Sequence, residues 1–392
     1  METDRKPRTL SAQDEAELLS AVDRWIARSL KPEVVREFDH ADRYPAHIVE
    51  EMKALGLFGA TVGTEYGGLG LPATTYAKIV MRVSSVWMAV TGIFNSHLML
   101  ALAIEKFGTA QQKQQWLPRL ASGEIRGGLA LTEPDAGTDL QGIRMTARRE
   151  GDHYVINGAK TWITNAVEGS CFALLVKTDP QAQPRHQGMS LFIAPKGPGF
   201  ASGRKLPKLG YKAIDSGELV ADGYRLPADH LIGGVEGQGF YQATGGLELG
   251  RINVASRGVG IAEGALRLAT EYAQIRQTFG KPIAQHQAIA LKLGEMATRA
   301  RAARLLTLDA AASFDRGERC DMEAGMAKYY ASEAALENST ESMRIHGAYG
   351  YSKEYDIERL YRDAPLTCIG EGTNEMQRII IAKQWIKRNP VQ

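Results

Sequence analysis

Three things are scarce in this chain of 392 residues. Cysteine is the first, with only Cys171, Cys320 and Cys368, odd in number and far apart. That excludes a disulfide scaffold and any C-x-x-C pair, and it reads as reduced thiols in a cytoplasmic protein. Cys368 stands three residues before Glu371, but a free cysteine there reads as packing rather than redox chemistry. Charge of one sign is the second scarcity. The 47 Lys and Arg against 45 Asp and Glu leave a formal charge of +2. No block of like charges marks a nucleic-acid partner. Long apolar runs are the third. No uninterrupted stretch of about 18 apolar residues suggests a membrane span. The opening Met-Glu-Thr-Asp-Arg-Lys is charged where a signal peptide needs an apolar core. Familiar catalytic signatures are missing too. The eight histidines form no H-E-x-x-H, so no metal site is expected, and neither G-x-S-x-G nor a P-loop occurs.

What is present is a globular composition, 44% hydrophobic and 23% charged. The length calls for two or three domains. Residues 1–128 read as helical, with Leu100, Ile104 and Phe107 at three- and four-residue spacing and a loop at Gly67-Gly68-Leu69-Gly70-Leu71-Pro72. Residues 129–240 change character. Tyr154-Val155-Ile156, Phe172 to Val176 and Ser190 to Ile193 are β-prone, and Asn157-Gly158 and Asn165 to Gly169 read as turns between them. Residues 241–392 return to a helical period. Ile289, Leu293, Met296 and Ala300 line one face of a long helix, with Pro282 read as its beginning. The fold class is therefore α+β, in the order helical, β, helical. Gly258-Val-Gly260-Ile-Ala-Glu-Gly264 has the look of a dinucleotide loop. Its flanks are helical and no strand precedes it, so it reads as close helix packing.

Two segments carry chemistry. Near the end, Ile369-Gly370-Glu371-Gly372-Thr373-Asn374-Glu375 sets a carboxylate between glycines, just before a helical stretch from Met376 to Ile386. Glycine permits a tight turn and close approach by a ligand. Earlier, Leu129-Ala-Leu131-Thr132-Glu133-Pro134-Asp135-Ala-Gly137-Thr138-Asp139 is rich in turn formers and hydroxyls. About thirty residues on comes Asn157-Gly158-Ala-Lys160-Thr-Trp162-Ile163-Thr164-Asn165. A Trp with a nearby Thr can stack on a flat heterocycle and hydrogen-bond its edge, although a core Trp is the plain alternative.

Together these segments resemble the acyl-CoA dehydrogenases, a flavoprotein family with this three-domain order: an N-terminal helical domain, a middle β domain and a C-terminal four-helix-bundle domain. The likeness spans nearly the whole chain. It includes Glu65-Tyr66-Gly67-Gly68-Leu69-Gly70, Arg276 to Pro282 with His286-Gln287, Glu354-Tyr355 through Arg362-Asp363-Ala364, and Gly370 to Thr373. The resemblance implies FAD as cofactor. Leu129, Leu131, Thr132 and Thr138 would meet the flavin, and Trp162, Ile163 and Thr164 would cover its other side. Arg276, Phe279 and Gln287 would reach the FAD of a neighbouring subunit in a homotetramer. Arg344, Gly347 and Ala348 fall where the family has Gln-x-x-Gly-Gly, so Arg344 and Ala348 are departures. Thr373 and Glu375 open a helix whose amides can hold an anionic or polar cofactor group. Thr138, Glu248, Arg251 and Gly372 would touch substrate, with an exposed helical pair as the plain reading of Glu248 and Arg251.

The family carries its catalytic base at the position of Glu371 or, in some members, one residue before Arg251. That second position is Gly250 here, which leaves Glu371. The implied reaction is α,β-dehydrogenation of a short- or medium-chain acyl-CoA, with electrons passed to an electron-transferring flavoprotein. Gly370 stands where many straight-chain members carry Tyr, which implies room for a branched or substituted acyl group, with a glycine that only serves the turn as the plain alternative. An acyl-CoA oxidase, a substituent-eliminating flavoenzyme and a non-catalytic DNA-associated relative are the alternatives. Near-neutral charge and an intact Glu371 argue against the last.

Overall fold

A computed structural model describes residues 9–391. The charged opening segment from Met1 to Lys6 lies outside the described residues. Five helices come first: α1 (Ala12–Ser29), α2 (Pro32–His40), α3 (Ala46–Ala54), α4 (Ala73–Phe107) and α5 (Ala110–Ala121). Local chemistry fixes their ends. The Ser11 side chain caps α1, and Thr109 with Gln112 forms a reciprocal capping box on α5. The Gly67–Gly70 segment is a loop, as its glycines imply. Helix α4 is apolar all round and largely buried, so it is a core helix rather than an amphipathic one. It breaks at Trp87 (φ −150°, ψ 91°), and the Arg359 guanidinium satisfies the Val86 carbonyl at that break.

Seven strands follow: β1 (Gly127–Ala130), β2 (Thr146–Glu150), β3 (His153–Thr164), β4 (Cys171–Lys177), β5 (Met189–Pro195), β6 (Phe200–Lys205) and β7 (Ser216–Pro227). They form one sheet in the order β1-β4-β2-β3-β7-β6, with β5 added on β4. Asn157-Gly158 is not a turn. It lies inside β3, where the register against β7 slips between Ile156 and Gly158. Gly158 has φ +137°, and a Cβ there would lie 2.8 Å from the Met145 side chain. The signal was real, but it marks a bulge. A second slip, between Lys160 and Ile163, throws Trp162 outward.

The C-terminal part is again helical: α6 (Gly239–Thr244), α7 (Leu247–Ile275), α8 (Gln287–Asp315), α9 (Asp321–His346), α10 (Ile357–Ile369) and α11 (Asn374–Arg388). A hairpin of two short strands, β8 (Gln277–Thr278) and β9 (Lys281–Pro282), joins α7 to α8. Pro282 therefore ends the hairpin and does not start α8, which begins at Gln287. The expected face of α8 is present: Met296 and Ala300 are buried, and Ile289 and Leu293 are half-buried. Gly258, Gly260 and Gly264 sit within α7. Cβ atoms added there would lie 2.6 Å from the Ala331 carbonyl of α9, 2.6 Å from the Met81 carbonyl of α4 and 2.4 Å from the Ser85 carbonyl of α4. The glycines let three backbones touch, as close helix packing requires.

Candidate active site

The turn from α10 to α11 holds Glu371. Gly370 has φ −67°, and a Cβ there would meet only Leu366, its carbonyl at 3.3 Å and its side chain at 4.0 Å. The turn itself is made by Glu371 (φ +53°) and Gly372 (φ +89°). A left-handed Glu is uncommon and strained, which is often a mark of function. The turn is clamped from below. Buried Lys328 on α9 donates to the Cys368 carbonyl (3.0 Å) and to Asn374 Oδ1 (2.8 Å), and Asn374 Nδ2 donates to Glu333 (2.7 Å). Burial lowers the Lys328 pKa to about 8. Thr373 caps α11 by accepting from the Met376 amide, and Glu375 is exposed in its first turn.

The Glu371 carboxylate points into the protein. Asn95 Nδ2 on α4 donates to Glu371 Oε1 at 3.0 Å. On the other side, Gly250 of α7 lies so near that a Cβ would sit 2.2 Å from Glu371 Oε2. The two base positions of the family thus converge on one place, and only a glycine at 250 admits the Glu371 carboxylate. Burial raises the Glu371 pKa, opposed chiefly by the positive field of Arg257 and by the Asn95 hydrogen bond. The backbone N–H of Glu371 donates to nothing among the described residues.

A polar chain backs Asn95. Tyr76 Oη donates to Asn95 Oδ1 (3.2 Å), and Asn253 Nδ2 of α7 donates to Tyr76 Oη (2.8 Å). Beside it, Arg257 Nη1 donates to Tyr211 Oη (3.2 Å). Tyr211 comes from the β-domain side and takes a left-handed backbone (φ +54°). Its amide donates to Asp363 Oδ1 (2.6 Å). Its hydroxyl occupies the place a Cβ on Gly92 would fill, 1.4 Å away.

The two β-domain segments are locked together. Lys160 Nζ donates to Glu133 Oε1 (2.8 Å) and to the Leu131 carbonyl (2.9 Å), and the Thr161 amide donates to the Thr132 carbonyl (2.9 Å). Glu133 also accepts from the amides of Arg144 and Met145. Leu129 pairs with Ala173 across β1 and β4, and Thr138 is exposed beyond the turn. Trp162 is not core. It is 59% exposed, with φ +59°, while Ile163 is buried behind it and Thr164 is half-buried. An indole bulged into the open, with the hydroxyls of Thr132 and Thr164 in the two joined segments, fits a flat cofactor such as FAD.

A second group gathers at the α7–α8 hairpin. Arg276, Phe279, Gly347 and Ala348 line one groove of roughly 380 Å³ with Tyr272 and His346. Phe279 is 96% exposed at the hairpin tip. Gln287 starts α8 beside this groove, and Arg344 on α9 is exposed and paired with Glu341. Glu248 and Arg251 are not an exposed pair. Arg251 is buried, with Nη1 3.9 Å from Asp321, and half-buried Glu248 accepts from the Cys320 amide (3.2 Å). Both reach the start of α9 rather than each other. Burial raises the Glu248 pKa. The three cysteines are unpaired, and burial pushes Cys171 and Cys320 up to about 12 and raises Cys368, so none is a ready thiolate. Asn95, Tyr211, Arg257 and Lys328 left no mark in the sequence reading.

A helical–β–helical protein with a half-buried carboxylate in a left-handed turn and an indole bulged from its sheet fits a flavin-dependent oxidoreductase. Three family patterns match in order: the acyl-CoA dehydrogenase N-terminal domain over residues 12–124, the middle domain over 128–224 and the C-terminal domain over 237–386. An acyl-CoA dehydrogenase of Bacillus subtilis is 42% identical over 347 residues, covering 88% of this chain and 91% of that protein. Butyryl-CoA dehydrogenase from Megasphaera elsdenii superposes with a TM-score of 0.92 at 35% identity, covering 96% of this chain and 99% of that one. A chain solved in work on the electron transferring flavoprotein of Acidaminococcus fermentans superposes with a TM-score of 0.93 at 36% identity, covering 97% and 99%. The chain belongs to the acyl-CoA dehydrogenase family, and its cofactor is FAD.

Proposed function

We propose that this enzyme removes the α and β hydrogens of a short acyl-CoA thioester, possessing room for a branched or substituted acyl group, and passes the electrons to an electron-transferring flavoprotein. The observation that carries this reading is Glu371, half-buried in a left-handed turn with its carboxylate held between Asn95 and Gly250. A thioester α-proton is weakly acidic, and a carboxylate in a dry site is a strong enough base when the carbonyl oxygen is hydrogen-bonded as charge develops. The free Glu371 N–H is such a donor. Glu371 takes the α-proton and the β-hydrogen departs with its electron pair, leaving the 2,3-enoyl thioester. FAD, when bound, supplies the two-electron acceptor.

The remaining roles follow the resemblance. Leu129, Leu131, Thr132, Thr138, Trp162, Ile163, Thr164, Thr373 and Glu375 hold the FAD of their own protomer. Arg276, Phe279 and Gln287 hold that of a neighbour in a homotetramer, and Arg344, Gly347 and Ala348 stand at a further FAD-contact motif of the family, from which Arg344 and Ala348 depart. Thr138, Glu248, Arg251 and Gly372 contact substrate. The butyryl-CoA relative supports a short chain, and open Gly370 supports the added room. The unpaired thiols suit a reducing compartment such as the cytoplasm. The test is anaerobic bleaching of the flavin by a panel of acyl-CoAs, followed by reoxidation with an electron-transferring flavoprotein or with air. Bleaching by short thioesters and preferential reoxidation by the flavoprotein are expected. Rapid reoxidation in air would make the enzyme an oxidase instead.

A further inference from the structure

Three arginines are buried among the described residues, and two of them have carboxylate partners: Arg251 approaches Asp321 and Arg359 pairs with Asp356. Arg257 is 6% exposed and makes no ion pair among the described residues. Its one hydrogen bond goes to the neutral Tyr211 hydroxyl, and its Nε has no acceptor. The Tyr211 ring also faces it, 5.8 Å from the guanidinium carbon, yet a buried guanidinium with no carboxylate at ion-pair distance is costly and needs an explanation. Its place supplies one. Gly250, Asn253 and Arg257 follow one another at three and four residues along α7, so they share a face. That face begins at the Glu371 carboxylate. Tyr76, Asn95 and Tyr211 complete the surroundings, and Asn253 leaves its amide oxygen unpaired. The side of α7 that leads away from the base is thus polar and ends in a cation without an ion-pair partner among the described residues.

Serving Glu371 alone does not account for Arg257. A dedicated counter-ion would sit at ion-pair distance, whereas Glu371 is hydrogen-bonded to neutral Asn95 and forms no ion pair. A wholly apolar acyl chain would lay methylenes against a guanidinium whose Nε has no acceptor. A carboxylate would fill its free donors, in the geometry that guanidinium favours.

We propose that Arg257, with the Tyr211 hydroxyl beside it, receives an anionic group at the far end of the acyl chain, so that the preferred substrate is a short acyl-CoA bearing a second, free carboxylate. This rests on the dehydrogenase reading above and names the substrate class of that site. Proton and hydride leave as already described, and the distal carboxylate is unchanged by the reaction.

Matched thioesters test it. Monothioesters of four- to six-carbon dicarboxylic acids are compared with their carboxamide and straight-chain counterparts by anaerobic flavin reduction. The carboxylate form should exceed the carboxamide in kcat/KM by about tenfold or more, the scale of one charge-assisted hydrogen bond. Arg257→Gln should erase most of that ratio and Arg257→Lys should keep part of it. A ratio is the right readout, because any change in Glu371 ionisation affects both substrates and divides out. Dissociation constants for the same pairs, read from flavin absorbance in Glu371→Gln, should show the same preference without turnover. A wild-type preference for neutral thioesters overturns the proposal. So does a ratio that Arg257→Gln leaves unchanged. If Arg257→Gln does not fold, the wild-type carboxylate-to-carboxamide ratio decides. If no thioester reduces the flavin, the dehydrogenase reading fails, and the binding comparison still decides whether an anion is recognised.

Discussion

Glu371, the proposed base, is set by three neighbours that lie far from it in sequence, Asn95, Gly250 and Arg257. The G-E-G stretch reveals the residue, because glycines flanking a carboxylate signal a strained turn. It does not reveal Asn95, 276 positions away, or Gly250, since a contact made only by folding leaves no periodic trace. Arg257 is hidden for a related reason: a lone Arg in a helical stretch ordinarily faces solvent. Two outcomes follow at this scale. Glu371→Gln should retain FAD, judged by the visible spectrum, and lose at least ~10²–10⁴-fold in turnover. Near wild-type rates in that variant would remove Glu371 from the chemistry. Gly250→Ala should fold, because Glu371 can swing away, yet lose activity through displacement of the base by a Cβ 2.2 Å from Oε2. A crystal structure of that variant with Glu371 unmoved would contradict the argument. Burial also sets a pH rule. The base must be ionised and its pKa is raised, so kcat/KM should climb with pH through a value above the ordinary Glu range and then level off.

Elements were more legible than contacts. The strand runs, the apolar face of α8 and the glycine-rich loop at 67–70 all stand where composition and period place them. The misreadings have physical causes. Asn157-Gly158 has turn chemistry, but β3 uses the same backbone freedom for a bulge. Pro282 suits a helix start, yet its fixed φ serves equally well at the end of a hairpin. That hairpin is the element most open to test. Phe279 at its tip and neighbouring Ile275 are largely exposed, and apolar groups so placed mark an interaction surface. Arg276→Ala should weaken FAD retention, measured as flavin lost on gel filtration, and full occupancy after repeated passage would count against it. Helix α7 makes a second test. Gly258→Ala forces a Cβ to 2.6 Å from the Ala331 carbonyl, and such overpacking costs about 1–3 kcal/mol. An unchanged denaturation midpoint would show that α7 and α9 separate freely.

At the scale of the molecule, a buried ionic cluster ties the first helices to the last. Arg362 on α10 bridges Asp39 of α2 and Glu358, while Asp363 next to it holds the Tyr211 amide. Burial, reinforced by Asp39, raises the Asp363 pKa to about 7. Its folded pKa exceeds its unfolded value, so its contribution is full below the unfolded pKa near 3.8 and is lost as pH rises through about 7. The melting temperature of Asp363→Asn should therefore gain on wild type as pH goes from 4 to 7. Parallel curves would show that the carboxyl titrates normally.

Helix α4 carries a consequence for the making of the protein. It is the one helix among the described residues long and apolar enough to cross a membrane, and 94% of its most apolar window is inside the fold. Helix α7, one of its main partners, is complete only at residue 275, against 107 for α4. At synthesis rates of about 5–20 residues per second, that gap leaves α4 without its cover for roughly ten to thirty seconds. During that interval the nascent chain carries a segment whose length and apolar composition alone would suit a membrane span. The break at Trp87 and the charges at Arg82 and Glu105 are then the features that tell a waiting core helix from a membrane anchor, and a chaperone has its strongest reason to hold this chain between those two moments.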